Sequence, residues 1–163
     1  GAVRGGTDFI EETGLSIAMA TIQRVANTKG KAVQPLLCVQ SDFYVRLFVR
    51  VVNSKQKCWQ SMNTTGMQYY CKDCGNQHVQ VFGQPHKNDP KMTSPVKFEI
   101  DSARCEVCGG KFAQNGPLYT GKLYDEEFIQ KMLGMLEFLE QGDMEKAPVG
   151  GGKGVTKGAF ICR

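Results

Sequence analysis

From Phe9 to Thr28 the apolar residues Leu15, Ala18, Met19, Ile22, Val25 and Ala26 recur at steps of three and four, which gathers them onto one stripe of an amphipathic helix. Asp8 or Thr7 can cap this helix, Glu11 and Glu12 suit its positive end, and Gly30 stops it. The period then changes. Val33 to Val39 reads as a strand. From Asp42 to Val52 the pattern alternates, with Phe43, Val45, Leu47, Val49 and Val51 on one face and Tyr44, Arg46, Phe48 and Arg50 on the other, so a second strand follows. Residues 53–66 are polar and turn-rich and mark a boundary. Beyond it Met67–Tyr70 reads as a short strand, His78–Phe82 as its return, Gln84–Pro95 as a proline-rich loop and Val96–Ile100 as a further strand. Asp125 opens a final helix, with Glu126 and Glu127 in its first turn, Phe128, Met132, Met135, Leu136 and Leu139 as its buried stripe, and Gly142 as its end.

Two Cys-x-x-Cys-Gly knuckles interrupt the second half, Cys71-Lys72-Asp73-Cys74-Gly75 and Cys105-Glu106-Val107-Cys108-Gly109. Two residues between cysteines let both sulfurs of a knuckle reach one metal, and the following glycine permits the positive-φ turn that brings backbone N–H groups near the sulfurs. Four thiolates in two pairs are what a tetrahedral Zn²⁺ asks for, so Cys71, Cys74, Cys105 and Cys108 are read as one closed structural zinc site. The 30 residues from Gly75 to Arg104 exceed the compact spacings of small zinc modules, so that segment must carry strands or a long loop of its own. Disulfides or free thiols are the competing reading. The odd count of seven cysteines and the lack of an apolar leader weigh against it. His78 and His86 lie near the first knuckle and could each replace a cysteine, but four thiolates already complete the set. Cys38, Cys58 and Cys162 are assigned no chemistry.

The 163 residues suffice for one ordinary domain or two small ones, and a 41% hydrophobic content can build a core. No stretch approaches the ~18 consecutive apolar residues of a membrane span, and the chain is read as soluble and intracellular. The net charge of +4 is uneven. Residues 1–62 hold eight basic against four acidic side chains, residues 63–124 seven against five, and residues 125–163 five against seven. Such an excess permits contact with a polyanion without proving it. The glycine-rich stretch Gly150–Gly154 fits neither a phosphate loop nor a dinucleotide fingerprint, since Ala147, Gly154 and Val155 or Lys157 stand at the wrong places.

Four motifs in order then carry a family likeness. They are Pro35-Leu36-Leu37-Cys38-Val39-Gln40-Ser41-Asp42-Phe43-Tyr44-Val45-Arg46-Leu47-Phe48-Val49-Arg50-Val51, the run Tyr70-Cys71-x-x-Cys74-Gly75-x-x-His78-x-Gln80, the second knuckle, and Gly116-Pro117-Leu118-Tyr119-x-Gly121-x-Leu123-x-Asp125. Over residues 11–136 the chain resembles the tRNA (guanine-N2)-dimethyltransferases that modify guanine 26. Of that family's helix-opening pattern only Glu12 is kept, and Ser16 stands at its arginine position.

The resemblance implies an α+β fragment: a helix and closing strands of a class I methyltransferase sheet in residues 1–62, a zinc-ribbon-like module with a C-terminal amphipathic helix in 63–145, and a glycine-rich tail in 146–163. The parent would bind S-adenosylmethionine and methylate the exocyclic guanine amine. The cofactor's glycine-rich turn and the family's catalytic Asp-Pro-Phe segment have no counterpart in these residues, so the fragment alone is expected to be inactive and not to bind the cofactor. Asp42 is the nearest carboxylate to a catalytic role and is read as a turn group. The partner implied is tRNA, with Arg46, Arg50, Lys55, Lys57 and Lys72 as candidate phosphate contacts, Lys55 and Lys57 on a polar loop. A freestanding zinc-ribbon module that binds nucleic acid or protein without an enzymatic parent is the alternative.

Overall fold

In the computed structural model the described residues are 10–41, 44–97 and 104–140. Helix α1 (Ile10–Asn27) is followed by Gly30 at φ 67. The caps proposed at Thr7 or Asp8 lie outside the described residues. Strands β1 (Lys31–Ser41) and β2 (Tyr44–Asn53) form an antiparallel hairpin with Lys31 opposite Asn53 and Ser41 opposite Tyr44. Its turn, with Asp42 and Phe43, lies outside the described residues. Pro35 has no N–H to give the ladder, and the register slips between Pro35 and Leu37. The bulge leaves the Leu36 carbonyl to accept from Asp125 N at 2.9 Å, next to a bridge between Leu37 and Tyr124.

The polar stretch after β2 is not the turn-rich loop that its composition predicts. Ser54 caps a short helix α2 (Lys55–Gln60), its hydroxyl accepting from Lys57 N at 3.2 Å, and a 3₁₀ turn continues through Ser61–Thr64. Polar residues in a capped first turn form helix as readily as loop, so composition misleads here. This segment is bound to α1. Buried Gln23 donates from Nε2 to Ser61 O at 3.0 Å and Thr65 Oγ1 at 3.2 Å, and the Asn27 amide lies 2.7 Å from Ser61 Oγ.

Strands β3 (Thr65–Cys71), β4 (Gln77–Val81) and β7 (Phe112–Tyr119) make an antiparallel sheet in the order β4-β3-β7. β7 was not anticipated: Asn115, Gly116 and Pro117 break the period-2 signal, and its pairing with β3 carries a register slip between Gly66 and Gln68. Where a loop was expected, β5 (Gly83–Pro85) and β6 (Thr93–Pro95) form a small hairpin, and Val96 and Lys97, expected in a strand, lie in none. The rest of that expected strand, residues 98–100, is outside the described residues. Helix α3 (Glu126–Glu140) starts at Asp125, whose Oδ1 accepts from Phe128 N at 2.9 Å.

Helix α1 packs against both β1 and β7, and buries Leu15, Met19 and Ala20 with Ala32 and Val33 of β1 and Leu118 of β7. Val25, assigned to the apolar stripe, is 60% exposed, while the polar Gln23 takes a core position. The apolar faces of β2 and α3 are less covered than their patterns predict. Val45, Phe48 and Val51 on β2 and Leu133, Met135 and Leu136 on α3 are exposed among the described residues.

Candidate metal centre and basic surface

The two knuckles share one local geometry at the open end of the β4-β3-β7 sheet. In the first, Cys71 N donates to Asn76 O at 2.8 Å and Gly75 N to Cys71 O at 3.0 Å. In the second, Cys105 N donates to Gly110 O at 2.7 Å and Gly109 N to Cys105 O at 2.8 Å. Gly75 and Gly109 sit at φ 76 and 73 with open space where a Cβ would stand, so glycine is needed there for backbone conformation and not for room. Strand β3 delivers Cys71, and the bridge between Arg104 and Lys111 delivers Cys105.

The sulfurs of Cys71, Cys74, Cys105 and Cys108 all lie within 4.8 Å of one another, with Cys71 to Cys108 at 3.4 Å and Cys74 to Cys105 at 3.6 Å. Four sulfurs around a metal at about 2.3 Å would be about 3.8 Å apart, so the cluster fits a tetrahedral ion. Cys71 and Cys105 are buried, and Cys74 and Cys108 are exposed. Asn76 Nδ2 lies 3.6 Å from Cys105 Sγ, and Gly110 N 3.4 Å from Cys108 Sγ. Neither histidine joins the cluster. His78 pairs with Tyr69 in the sheet, and His86 Nδ1 accepts from Asn88 N at 3.2 Å.

Crowding divides the thiols electrostatically. Burial pushes Cys105 up, but hydrogen bonds from the Cys108 and Val107 backbone and from Asn76 and Cys74 outweigh it and bring it to about 6. At Cys108 the Gly110 N–H pulls down, yet the Cys74 and Cys71 thiols outweigh it and push it up to about 12. Cys74 is raised too: hydrogen bonds from the Asn76 backbone and Cys108 are outweighed by burial and by the Cys105 and Cys71 sulfurs. A thiolate at Cys105 thus stands against the raised thiols of Cys74 and Cys108. A divalent ion at the centre makes four thiolates compatible.

The five basic candidates are all exposed. Arg46 and Arg50 share one face of β2 with Tyr44 and Phe48, and the Arg46 guanidinium lies 5.4 Å from the Tyr44 ring centroid. Lys55 and Lys57 belong to helix α2, not to the loop expected for them, and follow β2 directly. Lys72 lies apart on the first knuckle. Exposed Arg104 and Lys111, which flank the second knuckle, went unremarked in the sequence because neither carries a spacing signal. Cys38 is half-buried on β1 and Cys58 lies on α2, whereas Asp42 and Cys162 fall outside the described residues.

A known structure shares the fold. The complex of Trm1 from Pyrococcus horikoshii with S-adenosyl-L-methionine matches 87% of this chain and 33% of that one, with a TM-score of 0.61 at 19% identity, a likeness of fold. Among curated proteins, the mitochondrial tRNA (guanine(26)-N(2))-dimethyltransferase of Saccharomyces cerevisiae is 29% identical over 143 residues, 81% of this chain and 25% of that protein. The Drosophila melanogaster enzyme of the same name is 33% identical over 129 residues, and the human one 30% over 127, which are 22% and 19% of their lengths. The chain thus spans a quarter or less of the length of each of these three relatives. The family model described as N2,N2-dimethylguanosine tRNA methyltransferase matches residues 1–149, hairpin, sheet and both knuckles included, and the chain belongs to that family.

Proposed function

We propose that the chain is the tRNA-handling, metal-braced part of an S-adenosylmethionine-dependent tRNA (guanine(26)-N2)-dimethyltransferase acting inside the cell. The carrying observation is the family match, which runs unbroken from α1 through the four cysteines. In the parent reaction the exocyclic guanine amine attacks the sulfonium methyl group, and a second transfer gives the dimethyl product. That chemistry needs a bound cofactor and a group that orients the amine and takes its proton. The residues of this chain contribute position. Residues 1–62 serve as the closing helix and strands of the methyltransferase sheet, and residues 63–145 as a zinc-ribbon-like module with its helix.

Cys71, Cys74, Cys105 and Cys108 would hold Zn²⁺, for which a soft tetrahedral thiolate set is suited. With no open coordination position the ion serves structure, pinning the β3 and β7 ends together. Arg46, Arg50, Lys55, Lys57 and Lys72 would meet tRNA phosphates. No ion pair to any of them is found among the described residues, so their charge is available to a polyanion. No helix among the described residues is long and apolar enough to cross a membrane.

Retardation of tRNA by the zinc-loaded chain tests this. Binding is expected in the micromolar range or weaker, nearly independent of sequence and falling steeply with salt. Lys55→Glu with Lys57→Glu removes two contacts, so the logarithmic salt slope should shrink by about 2. The fold should hold, because acidic residues suit the first turn of α2. No retardation at low salt, or a double variant that binds as the parent does, overturns the tRNA-handling role.

A further inference from the structure

Between α1 and the β4-β3-β7 sheet lies a cavity of about 680 Å³, within the roughly 300–1,000 Å³ of small-molecule sites. Its apolar lining comes from Leu15, Val79, Leu118 and Leu123; Tyr119 and Tyr124 line it too, and Lys122 Nζ stands 5.6 Å from the Tyr124 ring centroid. A fixed polar chain backs it. Thr13 Oγ1 and Asn115 Nδ2 donate to Gln68 Oε1 at 3.5 and 3.2 Å, which occupies that acceptor, and Gln68 Nε2 donates to Gln77 Oε1 at 2.7 Å. The Gln77 amide is thereby left with a spare lone pair beside two N–H donors that have no protein partner among the described residues. Gln68 and Asn115 are almost wholly buried, so this geometry is held by packing.

The charge of the cavity narrows the ligand. No Lys or Arg lines it, and its one carboxylate, Glu12, would repel a phosphate. Burial, then the nearby Cys38 thiol, pushes the Tyr119 hydroxyl up, and burial does the same for Cys38, so both stay neutral near pH 7. A neutral planar ring with an alternating donor and acceptor edge suits such a wall, and every nucleobase has one. Aromatic faces and an amide edge read bases in this way elsewhere.

We propose that this cavity receives one unpaired nucleobase, stacked against the tyrosines and hydrogen-bonded by Gln77, with its sugar and phosphates outside. That the base comes from tRNA rests on the function proposed above. Neither Gln68 nor Gln77 carries a motif, and the site exists only because the strands bring both amides under α1.

Proton–nitrogen correlation spectra of the zinc-loaded chain test it with adenosine, cytidine and uridine as probes. The amides of residues 77–79 and 119–121 should shift with dissociation constants on the order of 1 mM, and ribose 5-phosphate should leave them in place. Gln77→Glu, which keeps a side-chain oxygen for Gln68 Nε2 to donate to and removes the two N–H donors, should weaken binding by about threefold to tenfold. Ser16→Phe, which fills the cavity from α1, should abolish it. Nucleosides that move no amide there, or that bind both variants as they bind the parent, overturn the inference even where tRNA is still retarded. Nucleoside shifts without tRNA retardation sustain the site and overturn the tRNA-handling role instead.

Discussion

Replacing Cys105 by alanine, or stripping the metal with a chelator, should unfold the β4-β3-β7 sheet. The non-cysteine apolar side chains of that sheet that are buried among the described residues are Tyr70 and Leu118. At roughly 1.5–3 kcal/mol each they contribute roughly 3–6 kcal/mol. Zinc held by four thiolates contributes on the order of 10 kcal/mol at neutral pH, so a bound ion would outweigh the local core. Cys105 is 2% exposed, and its sulfur is where the Asn76 amide donates. Alanine there removes one of four ligands and leaves that donor without its acceptor.

The purified chain should hold one zinc ion, and cobalt(II) in its place should give the intense visible bands of a tetrahedral thiolate site. On chelation, hydrogen-exchange protection should vanish at Tyr69, Tyr70 and Cys71 before it is lost in α1, whose buried residues pack against β1 as well. Metal analysis that finds no zinc refutes the reasoning. So does a Cys105→Ala chain that keeps both its metal and its melting temperature.

Met19 is wholly buried where α1 meets both β1 and β7, so Met19→Ala should cost about 2–5 kcal/mol, read as a lower denaturation midpoint at unchanged zinc content. A cost under about 1 kcal/mol would mean that the site relaxes around the lost side chain. Calorimetric titration of the chain with S-adenosylmethionine should show no binding, because nothing in residues 1–163 provides a glycine-rich cofactor turn. Micromolar affinity would place cofactor contacts in α1, β1 or β2.

The gathering of four cysteines was legible because it is written in spacing. Two residues between cysteines and a glycine after each pair suit a metal knuckle, and the structure brings the two together across the 30 residues between them. Helix α1 and the β1–β2 hairpin were legible because their periods are long and clean. Strand β7 was not, because Gly116 and Pro117 serve a bulged register with β3 that only the partner strand specifies. The Gln68–Gln77 pair was invisible for the same reason: an amide gains meaning from what stands opposite it, and periodicity carries no such information.

The faces that the pattern assigned to a core and that remain exposed follow from what periodicity measures. An alternating or 3.6-residue pattern records which face of an element can be buried, not what buries it. On β2 one face is Val45, Leu47, Val49 and Val51 and the other places Phe48 between Arg46 and Arg50, so neither is the polar outer face of a hairpin standing alone. A two-stranded hairpin is marginal in water, and β2 has no second strand partner among the described residues. α3 likewise leaves Leu133, Met135 and Leu136 exposed. The clean part of the fold lies where α1 has a strand on each contact, at Met19, Val33 and Leu118. The same helix lines the cavity with Leu15, so this core and the proposed binding site share one support. A core substitution at Met19 should therefore loosen nucleoside binding along with stability, whereas Gln77→Glu, which keeps the acceptor for Gln68, should weaken binding and leave the denaturation midpoint in place.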